Sequence, residues 1–393
     1  MRKIVFFCIP AHGHTNPTLP VVRELTKQGH EVWYYSYDHF KEKIESTDAK
    51  FVSCNAYDAE QRLTPKDAIR VGKDLAFSTK ILVDTTLALD DMVCRDMEQL
   101  QPDCIVADSM AFWGKAIALK LNIPFVSSTT TFAFNQYSAR IMKQSITQLF
   151  GMLFSMPKIN KNLKRLQDKG YPVENILSLI QNDNDTHTIV YTSKDFQPCA
   201  ETFSDKYAFV GPSLREAEAT IEKSGKKLLY ISMGTVNNLL LKFYKNCIQA
   251  FADSDYEVLM SVGNLVNPND LGTIPSNFKI MPYVDQIAVL QKADAFISHC
   301  GMNGATESLY YEVPLVLFPQ TSEQGGVARR IADLGAGIYL EKNTVSAIKN
   351  AVHTVLSTPS YKENAAKIAD SFHSCGGAKM AAEKILQVAN DHI

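Results

Sequence analysis

The sequence has no run of about eighteen apolar residues, so no part of it reads as a membrane span. Neither sign of charge is in excess: 40 Lys and Arg stand against 42 Asp and Glu, a net −2. That balance argues against a nucleic-acid binder, whose footprint is basic. The eight cysteines (8, 54, 94, 104, 199, 247, 300 and 375) contain no C-x-x-C pair. They imply reduced thiols in a cytoplasmic enzyme rather than a disulfide framework. There is no low-complexity segment, and no internal repeat beyond two similar α/β halves. Met1-Arg2-Lys3 precedes an apolar stretch broken at Pro10, with no small-residue cleavage site. The start therefore reads as a first strand and not a signal peptide.

What is present fits an ordinary globular chain of 393 residues, long enough for two domains. Lys3 to Ile9 is a continuous apolar run, as a buried parallel strand requires. Pro10 to Asn16 reads as a turn, with Asn16 capping a helix that has Pro17 at its first position and ends at Gly29. Residues 57 to 80 look irregular, Ile81 to Leu100 reads as a long helix, and strands follow at Cys104–Ala107 and Pro124–Ser127. Between the last two, Ala111 to Leu121 reads as a helix. From 132 to 180 the chain becomes aromatic- and Met-rich in a helical pattern. Phe112, Phe132, Phe134, Met142 and Phe150 are candidates for an adaptable apolar acceptor pocket, the alternative being helices packed on their own domain. Gly211-Pro212 closes the first half, and a charged Ala/Glu-rich stretch follows. The expected division is a Rossmann-like domain over 1–212, an exposed linker over 213–227, a second Rossmann-like domain over 228–376, and a C-terminal helix over 377–393.

Residues 283 to 324 form the most informative stretch. An apolar strand, Ala295 to Ser298, ends at His299-Cys300-Gly301-Met302-Asn303-Gly304; a helix carries Glu307, and a second apolar strand, Pro314 to Phe318, leads to Glu323 and Gln324. Strand–helix–strand implies parallel strands with a right-handed crossover. The turn holds Gly301, Asn303 and Gly304, and glycine lets a backbone approach a ligand closely while a helix N-terminus offers free N–H groups to an anion. His299 sits at the carboxyl end of its strand, where open α/β sheets bind ligands. A pyrophosphate fits there, Glu307 can accept from ribose hydroxyls, and Glu323 and Gln324 follow the next strand toward the same crevice. These groups suit a nucleotide sugar.

Two further places can carry chemistry. His12-Gly13-His14 follows the first strand; as a metal pair it lacks a third ligand at recognisable spacing, and otherwise both histidines are polar loop residues. Asp108 ends the strand that starts at Cys104, on the same sheet edge, where it can pair with a histidine or cap the helix at Ala111. Asp183-Asn184-Asp185 and Asp253-Ser254-Asp255 imitate a D-x-D metal motif. The first lies in a polar loop and the second on the edge opposite the crevice, so neither is assigned a metal.

The 283–324 segment resembles the donor-binding signature of the family 1 UDP-glycosyltransferases, closest to the bacterial macrolide and flavonoid enzymes. Tyr283, Val284 and Gln286 match the first block, with Asp285 where the family has Pro; His299-Cys300-Gly301, Glu307, Pro314, Glu323 and Gln324 match the rest. Glu312-Val313 stands where Gly–Val is commoner. The resemblance implies the α/β GT-B fold, two Rossmann-like doubly wound domains facing across a cleft, with the last helix returning to the first domain. It maps the general base to His14 and its partner to Asp108, puts the Thr235 hydroxyl on the donor phosphate, and stacks Tyr283 on uracil. It implies a UDP-sugar as co-substrate, glucose from the Glu323–Gln324 pair, a small hydrophobic hydroxylated acceptor, and neither cofactor nor metal. Other readings are a GT-B UDP-sugar epimerase or a non-catalytic nucleotide-sugar binding protein. The first would need no acceptor pocket and the second neither His14 nor Asp108.

Overall fold

The structure, a computed structural model, describes residues 1–55, 74–138, 146–176, 182–235 and 238–391; over 146–154 it describes the backbone only. The chain forms two compact units, Met1–Tyr191 with Cys199–Ser213 and Gly376–Ile393, and Thr192–Pro198 with Leu214–Cys375.

The first unit is built on a parallel sheet: β1 Lys3–Phe7, β2 Glu31–Ser36, β3 Lys50–Ser53, β4 Cys104–Asp108, β5 Phe125–Thr129, β6 Thr188–Val190 and β7 Tyr207–Phe209, in the order β3-β2-β1-β4-β5-β6-β7. Both faces are covered, which is why β1 and β4 read as unbroken apolar runs. Alternate β1 residues serve opposite faces. Ile4 and Phe6 join a core with Val21, Val22 and Leu25 of helix His12–Lys27 and with Ala381, Ile385 and Val388 of helix Gly377–Asn390. Val5 and Phe7 join the opposite core with Val83, Val93, Ile117 and Ile159, from helices Leu75–Leu100, Phe112–Leu121 and Ile146–Gln167.

Three local expectations are corrected. The first helix does not begin at Pro17 behind an Asn16 cap; it begins at His12 with Ala11 as N-cap, and Pro17 and Pro20 both lie inside it. His14 N–H and Thr15 N–H donate to the Ala11 carbonyl at 3.0 and 2.9 Å. Thr15, Pro17 and Thr18 are already buried, so core packing starts before the proline cue and overrides it. The long helix begins at Leu75, not Ile81, because Asp74 caps it by accepting from Phe77 N–H at 3.0 Å; of the stretch expected to be irregular, 57–73 lies outside the described residues. Phe132, Phe134 and Tyr137 are not helical: they follow β5 in a non-regular segment, and the helix comes later, at Ile146–Gln167. Met142 and the side chain of Phe150 lie outside the described residues.

The second unit repeats the architecture with β8 Leu228–Ser232, β9 Glu257–Ser261, β10 Phe278–Met281, β11 Ala295–Ser298, β12 Leu315–Leu317 and β13 Gly337–Tyr339, all parallel, in the order β10-β9-β8-β11-β12-β13. Helices Val345–Ser357 and Pro359–His373 end it, Pro359 opening the second of them. The strand β13 was not evident in the sequence; three residues are too few to show a period. Part of the charged stretch read as an exposed linker is fastened to this unit: Arg215 Nη2 donates to Asp285 Oδ1 at 2.5 Å, and Glu218 and Ala219 N–H donate to Asp285 Oδ2 at 2.6 and 3.0 Å. Among the described residues, no helix is long and apolar enough to cross a membrane.

Ile385 is fully buried in the core it shares with β1 and the His12–Lys27 helix. Replacing Ile385 by Ala should cost about 2–5 kcal/mol of first-unit stability. Both tryptophans, Trp33 and Trp113, lie in the first unit, so the urea midpoint of tryptophan fluorescence should fall; an unchanged midpoint would contradict the packing of that helix.

Candidate active site

In each unit the strand order reverses at one point, between β1 and β4 and between β8 and β11, and the candidate residues lie at the carboxyl ends of these pairs.

In the second unit, Ser232 of β8 is paired in register with Ser298 of β11, so the residues that follow emerge side by side. A Cβ added to Gly234 would lie 2.6 Å from His299 Cε1 and Nε2, and one added to Gly301 would lie 2.6 Å from His299 Nε2. Only glycine at both positions lets the imidazole lie between them, and Gly234 also has φ +77, in the left-handed region. Cys300, between His299 and Gly301, is a non-glycine residue at φ 64. Such strain of about 1–3 kcal/mol persists only where the surroundings fix it. Here Cys300 is fully buried and its N–H donates to Ser298 Oγ at 3.0 Å.

The helix Met302–Tyr310 starts immediately, with Gly301 as its N-cap and no side-chain cap hydrogen bond. Burial pushes the His299 ring down to about 4, opposed by the Ser232 backbone, and its Nδ1 is buried without a hydrogen bond of good geometry. The imidazole is therefore neutral near pH 7 and meets a ligand as a polar ring, not as a cation.

Farther along that helix, Gln286 Nε2 donates to Glu307 Oε2 at 2.5 Å, and Gln286 Oε1 accepts from Tyr230 OH at 3.0 Å. Gln286 opens the short helix Gln286–Leu290 and Tyr230 is in β8, so two elements fix the carboxylate. Burial pushes the Glu307 carboxyl up to about 7; the Gln286 amide and Arg215 oppose the rise and Asp285 adds to it. Tyr283 is 53% exposed, so its ring is not part of the core, and Asn264 Nδ2 donates to its hydroxyl at 3.4 Å. Val284 is half-buried and Thr235 exposed. Glu323 and Gln324 lie in the first turn of helix Ser322–Asp333, and Gln324 Oε1 accepts from Gln320 N–H at 2.8 Å.

In the first unit, His14 lies on the first turn of its helix. Its Nδ1 meets Asp108 Oδ2 at 2.7 Å and Thr130 Oγ1 at 3.1 Å. Asp108 is buried, and its Oδ1 accepts from Met110 N–H at 2.9 Å. The carboxylate thus binds the histidine and a turn at once; the helix beyond has Ala111 as N-cap with no side-chain cap. Thr130, just past β5, was not found from the sequence, because a lone Thr carries no signal. His12 is exposed, edge-on to Phe40 at 4.9 Å. Phe112 is packed against the core, Phe132 is buried and Phe134 half-buried. Asp183 Oδ1 accepts from Asp185 N–H and Thr186 Oγ1, an Asx turn.

Residues 245–385 match the family model of the erythromycin biosynthesis protein CIII-like C-terminal domain. The NDP-glycosyltransferase YjiC of Bacillus subtilis (strain 168) is 35% identical over 384 residues, 96% of this chain and 95% of that protein. The uncharacterized UDP-glucosyltransferase YojK of the same organism is 32% identical over 401 aligned positions, 98% of this chain and 97% of that one. The chain belongs to the family 1 UDP-glycosyltransferases. Two solved structures agree: the glycotransferase of kitacinnamycin, at TM-score 0.85 and 25% identity over 98% of both chains, and the calicheamicin glycosyltransferase, at 0.81 and 26% over 99% of this chain and 98% of that one. This UDP-glycosyltransferase has the α/β GT-B fold with two Rossmann-like domains. Where the family carries Pro, it has Asp285, whose carboxylate gathers Arg215 and two backbone N–H groups, contacts a proline has no acceptor to make.

His299 of the ligand-free UDP-glycosyltransferase should stay neutral from about pH 8 to pH 5, since its ring titrates near 4. Carbon or nitrogen NMR of the ring checks this, and a midpoint near the ordinary histidine value would contradict the buried cradle.

Proposed function

We propose that the enzyme moves glucose from UDP-glucose to a hydroxyl of a small apolar acceptor, a macrolide, flavonoid or other phenolic, with inversion at the anomeric carbon. The observation that carries this reading is the His14–Asp108 hydrogen bond at 2.7 Å. An ionised carboxylate only accepts, so His14 Nδ1 carries the proton and Nε2 presents a lone pair. That nitrogen takes the acceptor's hydroxyl proton; the oxygen bonds to the anomeric carbon as the bond from that carbon to the phosphate oxygen breaks, and UDP leaves. Asp108 holds the tautomer and stabilises the imidazolium as it forms. Thr130 Oγ1 beside Nδ1 further limits the ring's orientation.

On the donor side, the neutral His299, the Thr235 hydroxyl and the helix N-terminus at Gly301, Asn303 and Gly304 serve the diphosphate. Glu307, fixed by Gln286, takes the ribose hydroxyls, and Tyr283, with the Val284 backbone, serves the base. Glu323 and Gln324 address the hexose. An epimer that leaves a polar group unpaired is disfavoured, so UDP-galactose and UDP-N-acetylglucosamine are weaker donors. The full-length relatives carrying glucosyltransferase names support glucose. Because neutral donors and a helix dipole meet the phosphate charge, the reaction needs neither metal nor cofactor.

His14→Ala should lower kcat by about 10²–10⁴-fold while leaving UDP affinity unchanged, and Asp108→Asn should cause a large loss without unfolding. Near-normal turnover in His14→Ala would refute the base; early melting of Asp108→Asn with activity per folded molecule intact would reduce Asp108 to a turn anchor.

Incubation with UDP-glucose and a phenolic panel in EDTA, read by mass spectrometry and proton NMR, should give a β-glucoside. A small, α-type anomeric coupling in the first product would refute single displacement. Dependence on added Mg²⁺ would refute the charge argument, and preference for UDP-galactose the role of Gln324.

A further inference from the structure

Asp285 departs from the family pattern, and its surroundings give the departure a use. Its side chain is almost wholly buried, and both carboxylate oxygens are engaged by the segment 215–219. Gln286, next in the chain, is the residue that holds Glu307. The Arg215–Asp285 ion pair is therefore one residue in the chain from the side chain whose amide donates to the carboxylate assigned to the ribose hydroxyls. Arg215 also acts on Glu307 directly through its charge, favouring the carboxylate, and Asp285 acts in the opposite sense.

We propose that Arg215, opposed in charge by Asp285, is a positioning residue for Glu307 and tunes how tightly the second unit holds the donor nucleoside. The proposal rests on the assignment of Glu307 to the ribose. A carboxylate accepts from two hydroxyls, whereas a protonated carboxyl gives up one acceptor site to its own O–H. Glu307 is poised near neutral pH, so a modest change in nearby charge alters its ionised fraction at working pH.

The groups around the Met302–Tyr310 helix are few. Arg215 comes from the 214–219 segment, Asp285 and Gln286 from the turn and helix after Tyr283, and the Tyr230 phenol from β8. From the Pro359–His373 helix, His373 meets Tyr310 and not Glu307. From the Ser322–Asp333 helix, Arg330 donates to the Asp195 and Phe196 carbonyls. Among the described residues, Arg215 and Asp285 are the opposed charges that act on Glu307.

The test is calorimetric titration of the full chain with UDP from about pH 5.5 to pH 8.5. Titration of UDP's own terminal phosphate is common to every variant and cancels in the ratio to wild type. Wild-type affinity should rise through about pH 7 as Glu307 ionises. Arg215→Gln should move that rise to higher pH and weaken UDP several-fold at neutral pH, with convergence on wild type at the alkaline end. Asp285→Asn keeps an acceptor for the backbone N–H groups, and Arg215 keeps its contacts with the Glu216 carbonyl and Glu218, so the rise should move to lower pH. Arg215→Lys should restore the wild-type profile. Opposite shifts are the signature, since a merely structural pair would weaken binding alike at every pH. Parallel, pH-independent losses, or no change in either variant, would overturn the proposal. Glu307→Gln should lose the rise, so its affinity relative to wild type falls as pH increases through about 7; if it binds UDP with the wild-type profile, the ribose assignment itself fails, an outcome distinct from failure of Arg215 alone.

Discussion

Everything in this enzyme that can do chemistry depends on parallel strand pairing in two sheets covered on both faces. Parallel pairing forces each connection to cross over, so every strand in a sheet ends at the same edge. Burial on both faces makes the strands apolar, leaving polar function to the loops and helix starts just beyond them. At the β1/β4 and β8/β11 reversals the connecting helices diverge, and there His14 meets Asp108 and His299 meets Gly234.

The two sites treat histidine differently. His14 has its Nδ1 against a buried carboxylate, which orients the ring. His299 is enclosed by two glycines with no carboxylate behind it, and burial holds it neutral. The same side chain is thereby paired with a carboxylate in one unit and held neutral by burial in the other. Backbone strain at Cys300 is confined to this second turn, where the chain must pass from strand to helix within three residues.

Glu307 shows how a buried acid is kept useful. Left alone in an apolar setting it would stay protonated; the Gln286 amide and the Arg215 charge counter that, and the poise is near neutrality. Asp285 couples this poise to a segment whose composition reads only as charged and exposed. A substitution in a signature motif has here acquired a set of partners rather than left a gap.

The sequence by itself determined most of the strands, their parallel topology and the membership of the family. Continuous apolar runs such as Leu228–Ser232 and Ala295–Ser298 have no other economical burial, and the ordered spacing from Tyr283 to Gln324 is too long to arise from a generic turn. It did not determine where the first helix starts, because the Asn16–Pro17 cue is local while the burial of Thr15 and Thr18 is decided by the sheet beneath. It did not reveal Thr130 or Arg215, which are distant in sequence from the residues they serve and belong to no motif. Nor did it reveal that Gly234 and Gly301 enclose the same ring, since that follows from the register of Ser232 against Ser298. Residue type and spacing are properties of the chain; which groups come within 3 Å of one another across dozens of residues, and hence their charge and orientation, is fixed only by tertiary packing.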